Sequence, residues 1–468
     1  MTPERFDLIV IGAGGAAREA ATRAVADHGA SVAVIERERW GGSCANVACK
    51  PTKQLAAAAE LVQRMRTVGG DLGVATPSLA FDLAALKARK DWLVGTQETW
   101  RQRFVDAGFT AVDGEASFVD SRTVRVGGRL LTADRVLIAT GSRTAVPPIP
   151  GIDDAPWVDN VGMLELTELP RSLLVLGAGA VGLEFAQAYA RFGSRVTIVE
   201  GAERIAIRSD ADAAAELTAA LEAEGIDIVT ATFVTGLARD GDETVATLSP
   251  RDGSPGRHVR ASLVLVAAGR RPNVEELDLE RAGVTAERGG IPVDERLRTN
   301  VPGIWAAGDV VIAPQLTPVG AEQAQVAIDD MFGDGLRTME YSLVPTAIFT
   351  DPELAAVGLT EEEARAQGFE TGSASYPASG LLRPSYTLPR GAVAHGLVKL
   401  VYERGSRRLL GVHALVPGGA ELVQGFALAL KRGATIDDVT ASVYAFPTSA
   451  EAVHYAAEAA LASERVAS

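Results

Sequence analysis

The sequence predicts an α/β protein with two successive β-α-β units, followed by a C-terminal domain of the α+β class. Residues 6–11 form an apolar run typical of a buried strand, residues 16–26 have a helical pattern, and residues 31–35 form a second strand. The same order of elements recurs in residues 172–199. Beyond about residue 341, alternating apolar residues indicate an antiparallel sheet with helices. The duplication predicts two ligand-binding domains of one kind.

Composition narrows the classes of partner that the protein can have. The chain has 468 residues, of which 47% are hydrophobic, and a net charge of −15 at pH 7. That length and apolar content suit several folded domains, and an acidic chain without basic blocks argues against nucleic acid or membrane as a partner. The N-terminal residues lack the pattern of a signal peptide, so we expect a cytoplasmic protein.

The first β-α-β unit carries a dinucleotide-binding fingerprint of the Rossmann type. Gly12 permits the tight turn after the strand, Gly14 lets the backbone approach a pyrophosphate, and the small Ala17 lets the helix pack closely on the strand. The helix N-terminus adds amide donors for the anion. Glu36 ends the second strand, where a carboxylate accepts a hydrogen bond from a ribose hydroxyl.

The second β-α-β unit repeats this fingerprint with three glycines, and Glu200 closes its second strand. A carboxylate there suits the ribose of NADH and repels the 2′-phosphate of NADPH, although Arg204 and Arg208 lie close by in the sequence. We therefore predict NAD(P)H binding with NADH favoured. The three glycines are Gly177, Gly179 and Gly182.

The only two cysteines, Cys44 and Cys49, lie in one glycine-rich window that follows the first fingerprint. A zinc site needs about four ligands, and the five histidines are far away in sequence, so a redox pair is favoured and no metal site is predicted. Pro51 suits the first turn of a helix, which would place Cys49 at a helix N-terminus that favours the thiolate. We expect the four intervening residues to form a distorted turn and the glycines to allow close approach to a ring system.

These motifs together resemble the pyridine nucleotide-disulfide oxidoreductases, the family that includes dihydrolipoamide dehydrogenase, glutathione reductase and mercuric reductase. The resemblance covers nearly the whole chain, and the C-terminal domain looks most like that of the mercuric reductases. Besides the three motifs, it rests on Ala139-Thr140-Gly141, Gly269-Arg-Arg-Pro272-Asn273, Ala306-Ala-Gly308-Asp309 and Ala347-Ile-Phe-Thr-Asp351-Pro352-Glu353.

The resemblance implies that FAD occupies the first unit and a nicotinamide dinucleotide the second. Asp309 would bind the ribityl chain, Glu36 the adenosine ribose, and Thr140 and Gly141 would line the FAD site. Gly269 would join the residues that bind the cofactors. The implied domains are residues 1–147 and 269–340 for FAD, 148–268 for NAD(P), and 341–468 for dimerisation.

The resemblance also assigns roles in electron transfer. Cys49 would face the flavin and Cys44 would exchange electrons with the substrate. Lys53 would lie near flavin N5 and pair with Glu184. The protein would be a homodimer in which the C-terminal tail of one subunit covers the disulfide of the other.

One position departs from the family of disulfide reductases. These enzymes place a His-Glu pair in a His-Pro-Thr-x-x-Glu pattern, whereas this chain has Phe446 and keeps Glu451. Histidine is the usual proton donor to a departing thiolate, and phenylalanine cannot replace it in that role. His454 lies three residues after Glu451 on the same helical face, so it is a possible substitute.

The sequence leaves three functional interpretations open. The first is an FAD enzyme that passes electrons from NAD(P)H to Cys44 and Cys49 and then to a disulfide, a metal ion or another small acceptor. The second is a thioether-cleaving or carboxylating variant, because a 2-ketopropyl-thioether oxidoreductase/carboxylase also has phenylalanine at this position. The third is a redox-sensing flavoprotein.

Overall fold

The computed structural model describes residues 2–74 and 79–467 and confirms the predicted α/β class. The predicted strand at residues 6–11 is divided into two, because Asp7 bends the chain by accepting hydrogen bonds from the Ser31 backbone and hydroxyl. The strands are β1 Glu4–Phe6, β2 Leu8–Ile11, β3 Val32–Glu36, β4 Thr110–Asp113, β5 Ala116–Asp120, β6 Thr123–Val126, β7 Arg129–Ala133, β8 Val136–Ile138, β9 Ser142–Thr144, β10 Trp157–Val158, β11 Ser172–Leu176, β12 Arg195–Val199, β13 Asp227–Val229, β14 Thr232–Asp240, β15 Glu243–Pro250, β16 His258–Ala261, β17 Leu263–Val266, β18 Arg270–Pro272, β19 Ile304–Ala306, β20 Thr346–Ile348, β21 Glu353–Gly358, β22 Thr371–Pro377, β23 Leu397–Glu403 and β24 Leu409–Val416.

The helices range from one turn to five turns. None in the described part of the chain is long and apolar enough to cross a membrane. The helices are α1 Gly15–His28, α2 Gly42–Asn46, α3 Cys49–Thr67, α4 Leu83–Val94, α5 Gln97–Asp106, α6 Asn160–Glu165, α7 Ala180–Phe192, α8 Ala211–Ala223, α9 Leu279–Ala282, α10 Thr317–Phe332, α11 Glu361–Ala366, α12 Gly419–Lys431, α13 Ile436–Ala441 and α14 Glu451–Ala467.

The described residues form two compact units. Unit 1 contains residues 1–51, 88–145 and 269–341, and unit 2 contains residues 52–87, 146–268 and 342–468. The finer division of the chain into FAD, NAD(P) and dimerisation domains stays a prediction.

Unit 1 is built around a parallel five-stranded sheet in the order β19-β8-β2-β3-β4. All four residues of β2 are buried, as expected for a strand with neighbours on both sides. Helix α1 packs against α10 through a stripe of alanines, whose small side chains let the two helices approach closely. A second sheet, in the order β1-β7-β6-β5, completes the apolar core of this unit.

Unit 2 repeats the architecture of unit 1 and adds an antiparallel sheet. Its parallel sheet has the order β10-β17-β11-β12-β13, and the bounds of β11, α7 and β12 agree with the sequence pattern. The predicted antiparallel C-terminal sheet is confirmed, in the order β20-β21-β24-β23-β22, with α12 and α14 packed on it.

A buried lysine of the C-terminal sheet in unit 2 pairs with acidic residues of two helices, α8 and α11. Lys399 of β23 is 6% exposed, and its ammonium lies 3.1 Å from Asp210, 2.7 Å from Asp212 and 2.9 Å from Glu361. Burial alone would lower the pKa of Lys399, but the three carboxylates raise it above the ordinary lysine value. Because Asp210 also caps α8, this ion cluster fixes α8 on the C-terminal sheet.

Candidate active site

The first glycine loop, in unit 1, can be made only with glycine at its first position. Gly12 has φ +108°, and a Cβ built on it would lie 2.3 Å from the carbonyl oxygen of Ala139. Ala17 is fully buried beneath the loop, and Glu36 accepts a 3.0 Å hydrogen bond from the amide of Ala13. The carboxylate therefore holds the loop in its conformation.

Glu36 also lines an open cleft of about 410 Å³ in unit 1. Arg37, Gly114, Glu115 and Thr140 are among the other residues that line it. A carboxylate beside a glycine loop at the carboxyl ends of parallel strands is the arrangement that suits an adenosine ribose and its pyrophosphate. The residues present therefore fit the adenosine end of FAD.

The remaining residues predicted to hold FAD form one hydrogen-bonded group in unit 1. Thr140 donates to the carbonyl oxygen of Asn273 at 2.7 Å, and the Asn273 side chain donates back to Thr140 at 2.9 Å. Gly141 has φ +68°, and Ser142 donates a 2.9 Å hydrogen bond to Asp309. Asp309 is only part-buried, so its carboxylate is accessible to a ligand hydroxyl.

The glycines before Cys44 have a role that the sequence analysis did not anticipate. A Cβ on Gly41 would lie 2.9 Å from the Trp100 indole, and a Cβ on Gly42 would lie 2.4 Å from the Cα of Gly14. These two glycines thus allow close packing within the chain, and their approach to a ring system stays a prediction. The contact fixes the cysteine segment against the first glycine loop.

The two cysteines lie next to each other in unit 1 as thiols that are not joined in a disulfide. Cys44 lies on the one-turn helix α2, which corrects the expected distorted turn, and Cys49 is the exposed first residue of α3. The N-terminus of this 19-residue helix favours negative charge on the Cys49 sulfur. A hydrogen bond with Cys49, together with burial, raises the pKa of the Cys44 thiol above its ordinary value.

Thr317 is a functional candidate that sequence analysis missed. Thr317 is the first residue of α10, and its hydroxyl lies 3.5 Å from the sulfur of Cys49. The residue is 268 positions from Cys49 and belongs to no motif, so only the folded chain shows the contact. A hydroxyl donor at this distance can stabilise a thiolate.

The second glycine loop, in unit 2, repeats the first. A Cβ on Gly177, which has φ +105°, would lie 2.5 Å from the Ala267 carbonyl oxygen, and a Cβ on Gly182 would lie 2.0 Å from that of Gly177. A Cβ built on Gly179 would meet no atom within 4 Å. The chain itself does not require glycine at residue 179, and the open space beside it leaves room for close approach of a dinucleotide.

Backbone amides hold the Glu200 carboxylate beside the second glycine loop. Glu200 accepts hydrogen bonds from the amides of Ala178 at 2.7 Å and Ala202 at 2.8 Å. Arg204 is turned toward the carbonyl oxygens of Ile207 and Ser209, at 3.2 and 3.1 Å. This arginine is thus occupied by the backbone, and Arg208 is exposed.

Lys53 and Glu184 form an ion pair in unit 2. The Lys53 ammonium lies 2.6 Å from Glu184, which is 5% exposed, and 4.3 Å from the centre of the Phe349 ring. Glu184 also accepts a 3.0 Å hydrogen bond from the amide of Phe349. Phe349 was not predicted as a site residue, although it lies in one of the motifs that carry the resemblance.

No ionisable dyad forms around Phe446. Phe446 is 73% exposed, and Glu451 is buried and accepts a 2.9 Å hydrogen bond from the amide of Thr448. His454 lies 3.5 Å from Glu458, so it pairs with the next acidic residue along the helix instead of with Glu451. Within the described residues of this chain, His454 does not restore the missing His-Glu pair.

Gly269 and the distribution of metal-binding side chains also bear on the site. Gly269, in unit 1, has φ +118° and its carbonyl oxygen accepts a hydrogen bond from the amide of Ala145. Within residues 2–74 and 79–467, no group of three or more histidine, cysteine or acidic side chains could hold a metal ion.

The glycine loops, the acids that close their strands and the adjacent thiols define a flavoprotein oxidoreductase of the disulfide class. The chain belongs to the pyridine nucleotide-disulphide oxidoreductase family, since residues 6–330 match the model of that family and residues 344–457 match its dimerisation domain.

Similar proteins include two mercuric reductases and one flavoprotein disulfide reductase. The mercuric reductase of Streptomyces lividans is 38% identical over 464 residues, 97% of this chain and 96% of that one, and that of Staphylococcus aureus is 34% identical over 97% and 82%. The HOCl-induced flavoprotein disulfide reductase RclA of Escherichia coli is 29% identical, with a TM-score of 0.85 over 97% of this chain and 99% of that chain. A Cu(II) complex of RclA matches equally well, with a TM-score of 0.85 and 29% identity over 98% of this chain and 100% of that chain.

The hydroxyl of Thr317 should stabilise the Cys49 thiolate. In the NADH-reduced holoenzyme, Thr317→Val should move the midpoint pH of the thiolate charge-transfer absorbance upward by about one pH unit, because one hydrogen bond to a charged group is lost. Thr317→Ser, which keeps the hydroxyl, should behave as the wild type. Identical midpoints in the Val and Ser variants would show that the hydroxyl does not act on the thiolate.

The raised pKa of Cys44 should be visible in its reactivity. Because the thiolate is the nucleophile, alkylation of Cys44 in the reduced protein should increase about tenfold per pH unit from about pH 6 to about pH 9, without a plateau. Peptide mass spectrometry measures the rate. Cys49→Ala removes the hydrogen bond with the neighbouring thiol, so the alkylation rate of Cys44 in that variant should reach its plateau at lower pH. A wild-type plateau near neutral pH contradicts the assignment.

Proposed function

We propose that this protein uses NADH to reduce a thiophilic, redox-active metal ion at Cys44 and Cys49, in preference to an organic disulfide. Family membership already establishes the general route from NAD(P)H through FAD to a cysteine pair. The observation that carries the choice of acceptor is Phe446, an exposed apolar side chain where the family's disulfide reductases have the proton donor.

The chain's own residues divide the work between binding and electron transfer. The loop of Gly177 and Gly179 would bind the dinucleotide pyrophosphate, and Glu200 its adenosine ribose. Glu36 and Asp309 would hold FAD, which would supply the two-electron redox chemistry between NADH and the Cys44–Cys49 disulfide.

Reduction of a cupric ion by the thiol pair releases protons and requires none. The pair gives two electrons to two cupric ions, one disulfide bond forms between Cys44 and Cys49, and two protons leave. Soft thiolates bind the metal ion before electron transfer, and the disulfide that then forms leaves no thiolate ligand, so the cuprous product is released. The exposed Cys49 and its neighbour provide the two thiolate ligands that the described chain offers.

An organic disulfide makes the opposite demand, because each thiolate released from it must take up a proton at neutral pH. General acid catalysis of such a step contributes about 10²–10⁴-fold. Phe446 has no proton to give, Glu451 is held by the Thr448 amide, and His454 is held near Glu458. The chain therefore favours acceptors that take electrons alone.

The similar proteins support this choice of acceptor. Two of the similar curated proteins are named mercuric reductase, and RclA has been solved as a Cu(II) complex. A metal ion would be a substrate here, consistent with the finding that no group of metal ligands stands ready in the described residues.

The protein is proposed to act as a homodimer. Residues 344–457 match a dimerisation domain, and in that region Val443 is 100% exposed and Phe446 is 73% exposed within one chain. Apolar side chains at such exposure are typical of surfaces that a second subunit covers. The dimer would bring Phe446 of one subunit to the cysteines of the other.

Replacing Phe446 tests the proposal directly. Anaerobic wild-type holoenzyme should reduce cupric ion with NADH, and lipoamide or glutathione disulfide should react slowly. Phe446→His should accelerate disulfide reduction by about tenfold or more and leave cupric reduction little changed, because only the disulfide needs the acid. Stopped-flow measurement of the oxidative half-reaction separates the two acceptors.

Two controls make the Phe446 test specific. Val443→His places an imidazole three residues from position 446, where the family does not have its histidine, so it should not accelerate disulfide reduction. Cys44→Ala removes one of the two thiols and should abolish cupric reduction. If wild type reduces lipoamide at rates ordinary for enzymes, about 10–10³ s⁻¹, the proposed acceptor preference is wrong.

Glu200 should set the preference for NADH. The kcat/KM for NADH should exceed that for NADPH by about tenfold or more, since a carboxylate repels the added phosphate. Glu200→Gln should narrow this ratio, chiefly through a higher kcat/KM for NADPH. The exposed neighbour provides a matched control, because Glu203→Gln removes the same charge without touching the loop. If the ratio of kcat/KM for NADH to kcat/KM for NADPH is the same in Glu200→Gln and Glu203→Gln, net charge alone sets the preference for NADH.

A further inference from the structure

Phe233 is an aromatic side chain left 54% exposed beside the second dinucleotide loop, and no motif includes it. We propose that Phe233 is the platform on which the adenine ring of NADH stacks. This inference rests on the proposed function, in which unit 2 binds NADH, and it adds a residue that determines affinity for the base.

The backbone places Phe233 directly beyond the ribose-binding acid. The amide of Thr232 donates a 3.0 Å hydrogen bond to the carbonyl oxygen of Glu200, and the amide of Ala231 donates to that of Ala202 at 2.7 Å. The start of β14 is therefore tied to the segment that follows Glu200. The glycine loop, the Glu200 carboxylate and the Phe233 ring thus lie in the same order as the pyrophosphate, the ribose and the adenine of a dinucleotide.

The ring covers the backbone of residue 201, and only glycine leaves it room. A Cβ built on Gly201 would lie 2.6 Å from Cε1 of Phe233 and 3.1 Å from Cδ1. A single exposed apolar residue needs no functional explanation. Here, however, the ring depends on a glycine that directly follows the ribose-binding carboxylate, so ring and glycine form one surface at the binding cleft.

The duplicated architecture supplies an internal comparison. In unit 1 the amide of Gly114 donates a 2.8 Å hydrogen bond to the carbonyl oxygen of Glu36, as Thr232 does to Glu200 in unit 2. The next residue in unit 1 is Glu115, which pairs with Arg37 at 3.0 Å and lines the cleft beside Glu36. The next residue in unit 2 is Phe233. Its position therefore corresponds to the wall of the adenosine cleft.

The chemistry of this corner differs between the two units. Unit 1 has an ion pair there, and unit 2 has an aromatic ring against a glycine. A phenyl ring offers the face on which a purine stacks, and such stacking does not require hydrogen bonds to the base. The guanidinium of Arg251 lies 3.5 Å from the Gly201 carbonyl oxygen, at the edge of this surface.

Binding of ADP-ribose to the oxidised, FAD-loaded enzyme tests the inference. ADP-ribose contains the adenosine and pyrophosphate and lacks the nicotinamide, and the bound FAD keeps it out of the flavin site. Phe233→Ala should raise the calorimetric dissociation constant by about tenfold, and Phe233→Tyr should restore it because the aromatic face returns. Nicotinamide mononucleotide, which has no adenine, should bind Phe233→Ala and wild type equally.

Each outcome has a defined meaning. Trp92→Ala removes an exposed aromatic from unit 1 and should leave ADP-ribose binding unchanged. Equal ADP-ribose affinity in Phe233→Ala and wild type overturns the inference, as does an equal loss for nicotinamide mononucleotide, which would indicate general damage to the domain. If Phe233→Ala does not fold, Phe233→Leu takes its place, and it should raise the dissociation constant of ADP-ribose in the same way because it also lacks an aromatic face. Failure of NADH to reduce the wild-type flavin would instead overturn the proposed function.

Discussion

The close contact between Gly14 and Gly42 is the constraint on which the redox site depends. A side chain on Gly42 does not fit here, because its Cβ would lie 2.4 Å from the Cα of Gly14. Gly14 is the N-cap of α1, where we expect a pyrophosphate to bind, and Gly42 begins α2, the helix that carries Cys44. The distance between cofactor loop and reactive thiol is thus set by backbone packing, which is far stiffer than any side-chain contact.

Local patterns predicted most of the fold because the relevant forces are local. The strands and helix of residues 172–199 are bounded by glycine turns and closed by an acid, and the structure reproduces those bounds. The contacts that sequence reasoning missed are all distant along the chain. Thr317 reaches Cys49 across 268 positions, and Gly42 meets Gly14, a contact that no pattern within one segment encodes.

Phe446 illustrates how one side chain can separate electron transfer from proton transfer. The thiol pair, the helix N-terminus at Cys49 and the ion pair of Lys53 with Glu184 are all retained in this chain. What is absent at residue 446 is only a group that titrates near neutral pH. Selection among acceptors can then follow from the proton balance of each reaction, with the electron pathway unaltered.

The carboxylates of Glu36 and Glu200 have a kinetic consequence. Each accepts hydrogen bonds from backbone amides of its own loop, from Ala13 at 3.0 Å in the first case and from Ala178 at 2.7 Å in the second. Both loops are therefore ordered before any nucleotide arrives, and little conformational entropy remains to be lost on association. Capture of a nucleotide then approaches a simple encounter between rigid partners, and differences in affinity among nucleotides fall mainly on how long each one stays bound.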